Sequence, residues 1–237
     1  MKICVIIPSF NGAKSIGSLV KKLTRQNLEV IVIDDGSSDL TSKIASEAGA
    51  VVLRNTTNRG KGASLRRGFE YALTQGYSYI ITMDGDGQHL PEDIPYFLKA
   101  LENNPELDLA IGNRMHQPLN MPFIRQITNK GMSLLISRMC HQNIPDSQNG
   151  FRLIKSNTLK ELELQCDRFE IETEMILRAA KKGARITSVE ITSVYENHPS
   201  LISPLADTLR FIKFILPYCF LKGCKYESYC NKGNLKL

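Results

Sequence analysis

Short β-branched and apolar runs alternate with longer amphipathic stretches through the first half of the chain. The runs at Ile3 to Ile7, Val30 to Ile33, Val51 to Leu53, Tyr79 to Met83 and Leu109 to Gly112 are continuous rather than alternating, and turn residues bound each one. That is the pattern of strands buried on both faces. Between them, residues 13–25, 41–48, 61–75 and 91–103 carry helical spacing, and a short strand is expected after Asp146, with Glu172 and Glu174 on a later helix. Strand and helix in alternation predict βαβ units, hence an α/β fold with a mostly parallel, Rossmann-like sheet covered by helices on both faces. In such sheets ligands bind beyond the carboxyl ends of the strands.

Composition narrows the partners. The 237 residues are 42% apolar and 23% charged, enough for one large core. The net charge of +6 is scattered and not gathered into a stripe with interleaved aromatics, so nucleic acid is not an expected partner; anionic small molecules or anionic lipid fit better. Cysteines at 4, 140, 166, 219, 224 and 230 form no Cys-x-x-Cys pair, which reads as reduced thiols in a cytoplasmic protein. The opening "MKICVIIPSFNG" reads as a first strand, because its apolar run is too short for a secretory signal. No segment approaches the roughly 20 apolar residues of a membrane span; the longest candidate, Leu209 to Leu221, contains Arg, Lys and Pro.

The chemistry gathers in the loops after the strands: "PSFNG", "DDGSSD", "NTTNRGKGAS", "DGDGQH" and "GNR". Turn-making and helix capping explain part of this, as with Ser38 or Asp39 before the helix at Thr41. Asp84 and Asp86 ask for more, since two carboxylates one residue apart at a strand end repel each other unless a cation lies between them. A cation is the expected occupant, and hard Mg²⁺ or Mn²⁺ suits carboxylate oxygens. An EF-hand is excluded, because His89 and Pro95 stand where its Gly and Glu belong. A P-loop is excluded too: Gly62 and Ala63, and no Ser or Thr, follow Lys61. A phosphatase of the haloacid dehalogenase type would place its Asp-x-Asp after the first strand and carry Thr or Val where Gln88 stands.

In order and spacing, "VIIPSFNG", "VIDDGSSDLT", "NRGKGASLRRGFEYA", "MDGDGQHLPEDI", "GNR" and "DSQNGFRLI" resemble the family 2 glycosyltransferases, most closely the dolichol-phosphate mannose synthase group, over roughly residues 3–195. The resemblance implies a GT-A fold, a nucleotide-sugar donor such as GDP-mannose or UDP-glucose, a divalent metal, and inverting transfer of a hexose to polyprenyl or dolichyl phosphate. It implies that Asp86 is the direct metal ligand, that Asp84 sits by ribose and metal, that Gln88 lies near sugar and diphosphate, and that Pro8 and Phe10 frame the base. Two departures stand out. Gly12 follows Asn11 where the family continues with Glu, and "VYENHPSLISPLADTLRF", with His198 and Ser200, replaces the family's later basic motif.

The residues add their own reasons. Asp35 closes the second strand, where a carboxylate can accept the ring N–H of uracil or guanine, and Lys61 starts a helix near the donor. Arg114 and Arg125 flank "MHQPLNMPFI" and present planar forks suited to phosphate. Asp146 is the candidate near the acceptor: a phosphate acceptor needs little base catalysis, whereas a sugar hydroxyl, the alternative acceptor, needs a base. Glu172 and Glu174 lie about 200° apart on a helix, so only one can face the site, and Glu174 matches the family position. The transferase unit is expected over residues 1–203. Residues 204–237 form a basic, apolar segment with six cationic and two acidic side chains from Asp207 onward, expected to lie at the cytosolic face of a membrane, to contact a membrane-anchoring partner subunit, or to pack on the core.

Overall fold

Seven strands form one sheet in the computed structural model, which describes residues 1–116, 121–192 and 211–216. They are β1 (Ile3–Ser9), β2 (Glu29–Asp34), β3 (Val51–Arg54), β4 (Tyr79–Thr82), β5 (Leu109–Asn113), β6 (Arg152–Lys155) and β7 (Ile186–Glu190), in the order 3-2-1-4-6-5-7. The helices are α1 (Ile16–Arg25), α2 (Thr41–Glu47), α3 (Lys61–Thr74), α4 (Ile94–Asn103) after a 3₁₀ turn at Pro91–Asp93, α5 (Phe123–Cys140), α6 (Ser156–Lys160) and α7 (Glu170–Lys181). All five strands and four helices expected from the pattern are present, with ends shifted by three residues at most. The sequence reading lacked β7, α5 and α6.

The two faces of the sheet carry separate cores. Along β1, Cys4 and Ile6 enter one cluster with Leu65 and Phe69 of α3, Ile136 of α5 and Ile176 of α7, while Val5 and Ile7 enter another with Leu19 and Leu23 of α1 and Phe97 of α4. Successive strand side chains point to opposite faces, so a strand with helices on both sides must be apolar throughout. Each such isoleucine or leucine, buried rather than exposed, contributes about 1.5–3 kcal/mol.

One strand runs against the others in this mostly parallel sheet. β6 pairs antiparallel with both β4 and β5, through Thr82 with Arg152 and Ile111 with Arg152. Its direction has a structural consequence: the chain entering β6 arrives at the edge where the parallel strands end, so residues 146–150 join the loops after β1, β2, β4 and β5.

Of residues 204–237, only 211–216 are described, and they are helical. Phe211 and Ile215 are buried in the first cluster, so these two pack on the core, one of the three placements expected for the segment, while Ile212 and Leu216 are exposed. His198 and Ser200, residues 117–120 of the stretch after Arg114, and the rest of the C-terminal segment lie outside the described residues.

Candidate active site

The loops at the carboxyl edge are bonded to one another through backbone N–H groups that their sequences leave unpaired. Asn11 adopts a left-handed conformation with φ 51°; its N–H donates to Ser37 Oγ, and its Oδ1 accepts from the Ser38 N–H at 2.9 Å. Asp34 accepts from the Ser37 N–H at 2.8 Å and from the Ser42 hydroxyl. Asp35 is buried, and its oxygens accept from the Arg59 and Gly60 N–H groups at 2.9 and 2.8 Å and from Asn55 Nδ2 at 2.7 Å. The carboxylate expected at the nucleobase thus fixes the loop leading into α3. Gly60 takes φ 96° there, and a Cβ on it would lie 2.5 Å from the Asp167 carbonyl. Pro8 is half-buried at the end of β1, and Phe10 is 49% exposed on the loop beyond.

The loop holding those two bonds delivers Lys61 to Asp84. Lys61 Nζ lies 2.5 Å from Asp84 Oδ1 and 2.6 Å from Glu172 Oε1, in a space closed by Gly150. A Cβ at Gly150 would stand 2.6 Å from Glu172 Oε1 and 2.9 Å from Lys61 Nζ, so only glycine leaves room for the cluster. Burial works to lower the Lys61 ammonium, but the Asp84 and Glu172 carboxylates outweigh it and hold the group above its ordinary value. For Asp84, burial pushes the carboxyl up, and Lys61 with His89 more than reverses that, leaving it well below the usual range. Burial likewise holds the His89 imidazole below its usual range, although Asp84 acts against this.

Glu172, not Glu174, faces the site. The two point in different directions as helical geometry requires, but Glu174 turns inward and accepts from the Gln165 and Cys166 N–H groups and from Arg178 Nε at 2.8 Å. Glu172 stands in the first turn of α7, the end nearest the loop edge.

Asp86 is exposed on the same loop as Asp84, its Oδ1 accepting from the Gln88 N–H at 2.9 Å, and Gln88 is half-buried beside it. The turn is possible because Gly87 takes φ 83°. Behind it, His89 Nδ1 accepts from the Asp84 N–H at 3.0 Å while its ring stacks on Phe151, centroids 5.2 Å apart. The sequence reading gave His89 no role, and no periodic signal marks it. It was legible only as the polar residue next to the Asp-x-Asp run. Hard carboxylate oxygens on an open loop, with Asp86 exposed, fit a divalent cation that takes its remaining ligands from a diphosphate.

Arg114 and Asp146 form a buried fork. Arg114 Nε donates to Asp146 Oδ2 at 2.8 Å and Nη2 donates to Oδ1 at 3.1 Å; the Arg114 backbone N–H adds a third bond at 3.1 Å. The two residues are 6% and 1% exposed. Arg152, itself buried, fastens the neighbouring backbone by donating to the carbonyls of Asn149, Glu172 and Ser147 at 2.8, 2.5 and 3.0 Å. Arg125 is half-buried in the first turn of α5. Among the described residues, the buried side-chain polar atoms without a partner are Ser9 Oγ and Asn149 Nδ2, both at this edge.

The model of Glycosyl transferase family 2 matches residues 4–163. Among curated proteins, the chain is 36% identical over 203 residues to an uncharacterised protein of Methanocaldococcus jannaschii, covering 83% of each. It is 31% identical over 207 residues to an undecaprenyl-phosphate mannosyltransferase of Micrococcus luteus, covering 82% of this chain and 84% of that one. Among solved structures, glucosyl-3-phosphoglycerate synthase of Mycobacterium tuberculosis with Mn²⁺, UDP-glucose and phosphoglyceric acid superposes with a TM-score of 0.72 at 18% identity, over 92% of this chain and 79% of that one. At that identity the likeness is one of fold.

Proposed function

The chain belongs to glycosyl transferase family 2, and from that premise we propose that it moves a hexose, mannose or glucose, from a nucleotide sugar to polyprenyl or dolichyl phosphate with inversion at the anomeric carbon. The observation that carries the reading is how the carboxylates are committed. Asp34, Asp35, Asp146 and Glu172 are buried and each already accepts hydrogen bonds from the protein, whereas Asp86, whose Oδ1 accepts from the Gln88 N–H, is exposed on the loop. A hydroxyl acceptor needs a general base at the reacting oxygen, and Asp146 has both oxygens on Arg114. A phosphate acceptor arrives already anionic. It asks instead for cations, and Lys61 and Arg114 belong to this edge.

In the reaction, an oxygen of the acceptor phosphate forms a bond to the anomeric carbon from one side while the bond from that carbon to the donor diphosphate breaks on the other. No proton need be removed from the nucleophile. Asp86, with Asp84 beside it, would hold Mg²⁺ or Mn²⁺, which supplies charge neutralisation to the departing diphosphate. Lys61 holds Asp84 in place and adds a fixed positive charge. Arg114, kept in one orientation by Asp146, and Arg125 face phosphate oxygens as charge accumulates on them. Gln88 orients the sugar, and Pro8 and Phe10 border the base. In this reading residues 1–203 carry the transferase chemistry, residues 204–237 follow as a basic segment, and the enzyme works from the cytosolic face of a membrane. No helix among the described residues is long and apolar enough to cross one.

Purified protein given radiolabelled GDP-mannose or UDP-glucose with polyprenyl phosphate in detergent should move label from one donor into the organic phase, and excess EDTA should stop it. Asp86→Asn should cut the rate at least 100-fold with the thermal transition unchanged, because Asp86 stands on an exposed loop. Full turnover in the variant would end the metal-ligand role. Label appearing in a water-soluble glycan, and none in lipid, would replace the acceptor.

A further inference from the structure

Helix α5 has two unlike sides. At about 100° per residue, its buried residues Asn129, Ser133, Ile136 and Cys140 fall within an arc of roughly 60°. Phe123, Ile124, Ile127, Leu134 and Leu135 fall within about 120° on the opposite side. There they are 73%, 67%, 56%, 52% and 36% exposed. Five large apolar side chains in one stripe exceed the scattered exposure ordinary for a soluble surface.

The charge around the stripe indicates what covers it. In its 18 residues α5 has Arg125, Lys130 and Arg138 and no acidic residue. Lys130 and Arg138 are exposed, and both fall at or within the apolar arc, where long cationic side chains can lie along the apolar surface and turn their charged ends outward. A helix so built matches a bilayer surface, with acyl chains under the apolar residues and anionic headgroups around the lysine and arginine.

The opposite side of α5 reaches the active-site edge. Ser133 Oγ accepts from the Ser147 N–H at 2.9 Å, one residue past the Asp146 that orients Arg114. We infer that the stripe from Phe123 to Leu135 is the surface by which this protein lies on an anionic membrane, with the helix that braces the Asp146 loop as its contact. The choice of a membrane rests in part on the lipid-phosphate acceptor proposed above; the exposed stripe and its charge do not.

The test uses the full chain. Ile127→Ser, Leu134→Ser and Leu135→Ser are combined in one variant, and Lys130→Glu with Arg138→Glu in a second; all five side chains are exposed and none is part of the proposed site. Binding is measured by sedimentation with vesicles of phosphatidylcholine alone and with 30% phosphatidylglycerol, and transfer is measured to a short, water-soluble isoprenyl phosphate and to a long polyprenyl phosphate in vesicles. The expected result is that intact protein binds the anionic vesicles more tightly at low salt than at high salt, and that each variant binds at least tenfold less. Both variants should keep transfer to the short acceptor and lose most of it to the long one. Vesicle binding equal to that of the intact protein in both variants overturns the inference and leaves the lipid-phosphate reading standing. Weakened vesicle binding with no transfer to any isoprenyl phosphate in the intact protein supports the surface and overturns the acceptor. An intact protein that ignores vesicles and sediments as a dimer or with a partner subunit, while the triple serine variant does not, assigns the stripe to a protein contact instead.

Discussion

A buried guanidinium held in a fork by the Asp146 carboxylate makes Asp146 a structural residue before it is a chemical one. Removing one partner of such a pair typically costs about 3–5 kcal/mol, because the other charge stays buried without compensation. Asparagine keeps one acceptor for Arg114 and loses the charge, so Asp146→Asn is expected to cost about 3 kcal/mol, read as a lowered urea midpoint at unchanged slope. On the role proposed for Arg114, its residual activity at low temperature should fall with substrate phosphate affinity, and not with the ionisation of an acceptor. A variant of native stability would mean that Arg114 finds its compensation elsewhere. By contrast, Lys61 sits between two carboxylates, and Asp84 keeps its charge across the whole neutral range because Lys61 and His89 hold its carboxyl low.

Among the elements, β6 does most to assemble the site. Because it runs against its neighbours, the loop before it reaches the edge where β1, β2, β4 and β5 end, and Arg152 at its first position ties that loop to α7. Arg152→Met keeps an unbranched stem in the core but leaves three buried carbonyls without their donor. At about 1–3 kcal/mol for each unsatisfied group, less what water recovers, the loss should be about 2–4 kcal/mol. The same substitution loosens residues 147–149 and Glu172 together, so turnover should drop tenfold or more even where the variant is fully folded. Hydrogen exchange localises the effect: faster exchange at 146–150 and the first turn of α7, with β1 and β2 unaffected. Exchange unchanged at those residues would remove the bracing role.

Across the whole molecule, two cores share one sheet, and residues far apart in the chain open together or not at all. Cys4 in β1 is fully buried, which with the nearby Glu29 pushes its thiol up to about 12; burial pushes Cys140 at the end of α5 to about 11. Neither is reactive while the sheet is closed. Alkylation at neutral pH followed by peptide mapping should find both unmodified in native protein and both modified in denaturant, at rates that converge as denaturant approaches the unfolding midpoint. Fast native-state labelling of Cys140 alone would mean that α5 leaves the body independently of β1.

The sequence by itself determined the five parallel strands, the helices between them and the Asp-x-Asp loop, because continuous apolar runs, helical spacing and turn residues are properties of near neighbours. It determined the family as well, since ordered motifs survive without any knowledge of contacts. Tertiary structure alone decided the direction of β6, which depends on a path through α5 that no local pattern records. It also decided which glutamate turns to the site. Helical geometry separates Glu172 from Glu174, but only the packing of α7 chooses Glu172, bringing it to Lys61 across 111 residues of chain. Asp146 and Arg114 were each readable as site residues, yet their bond spans 32 residues and converts a candidate base into an anchor. Asp35 follows the same rule: its type and place were evident, and its partners at Asn55, Arg59 and Gly60 were not. A side chain's chemistry is fixed by its own atoms, but what that chemistry is used for depends on which groups folding brings within about 3 Å of it.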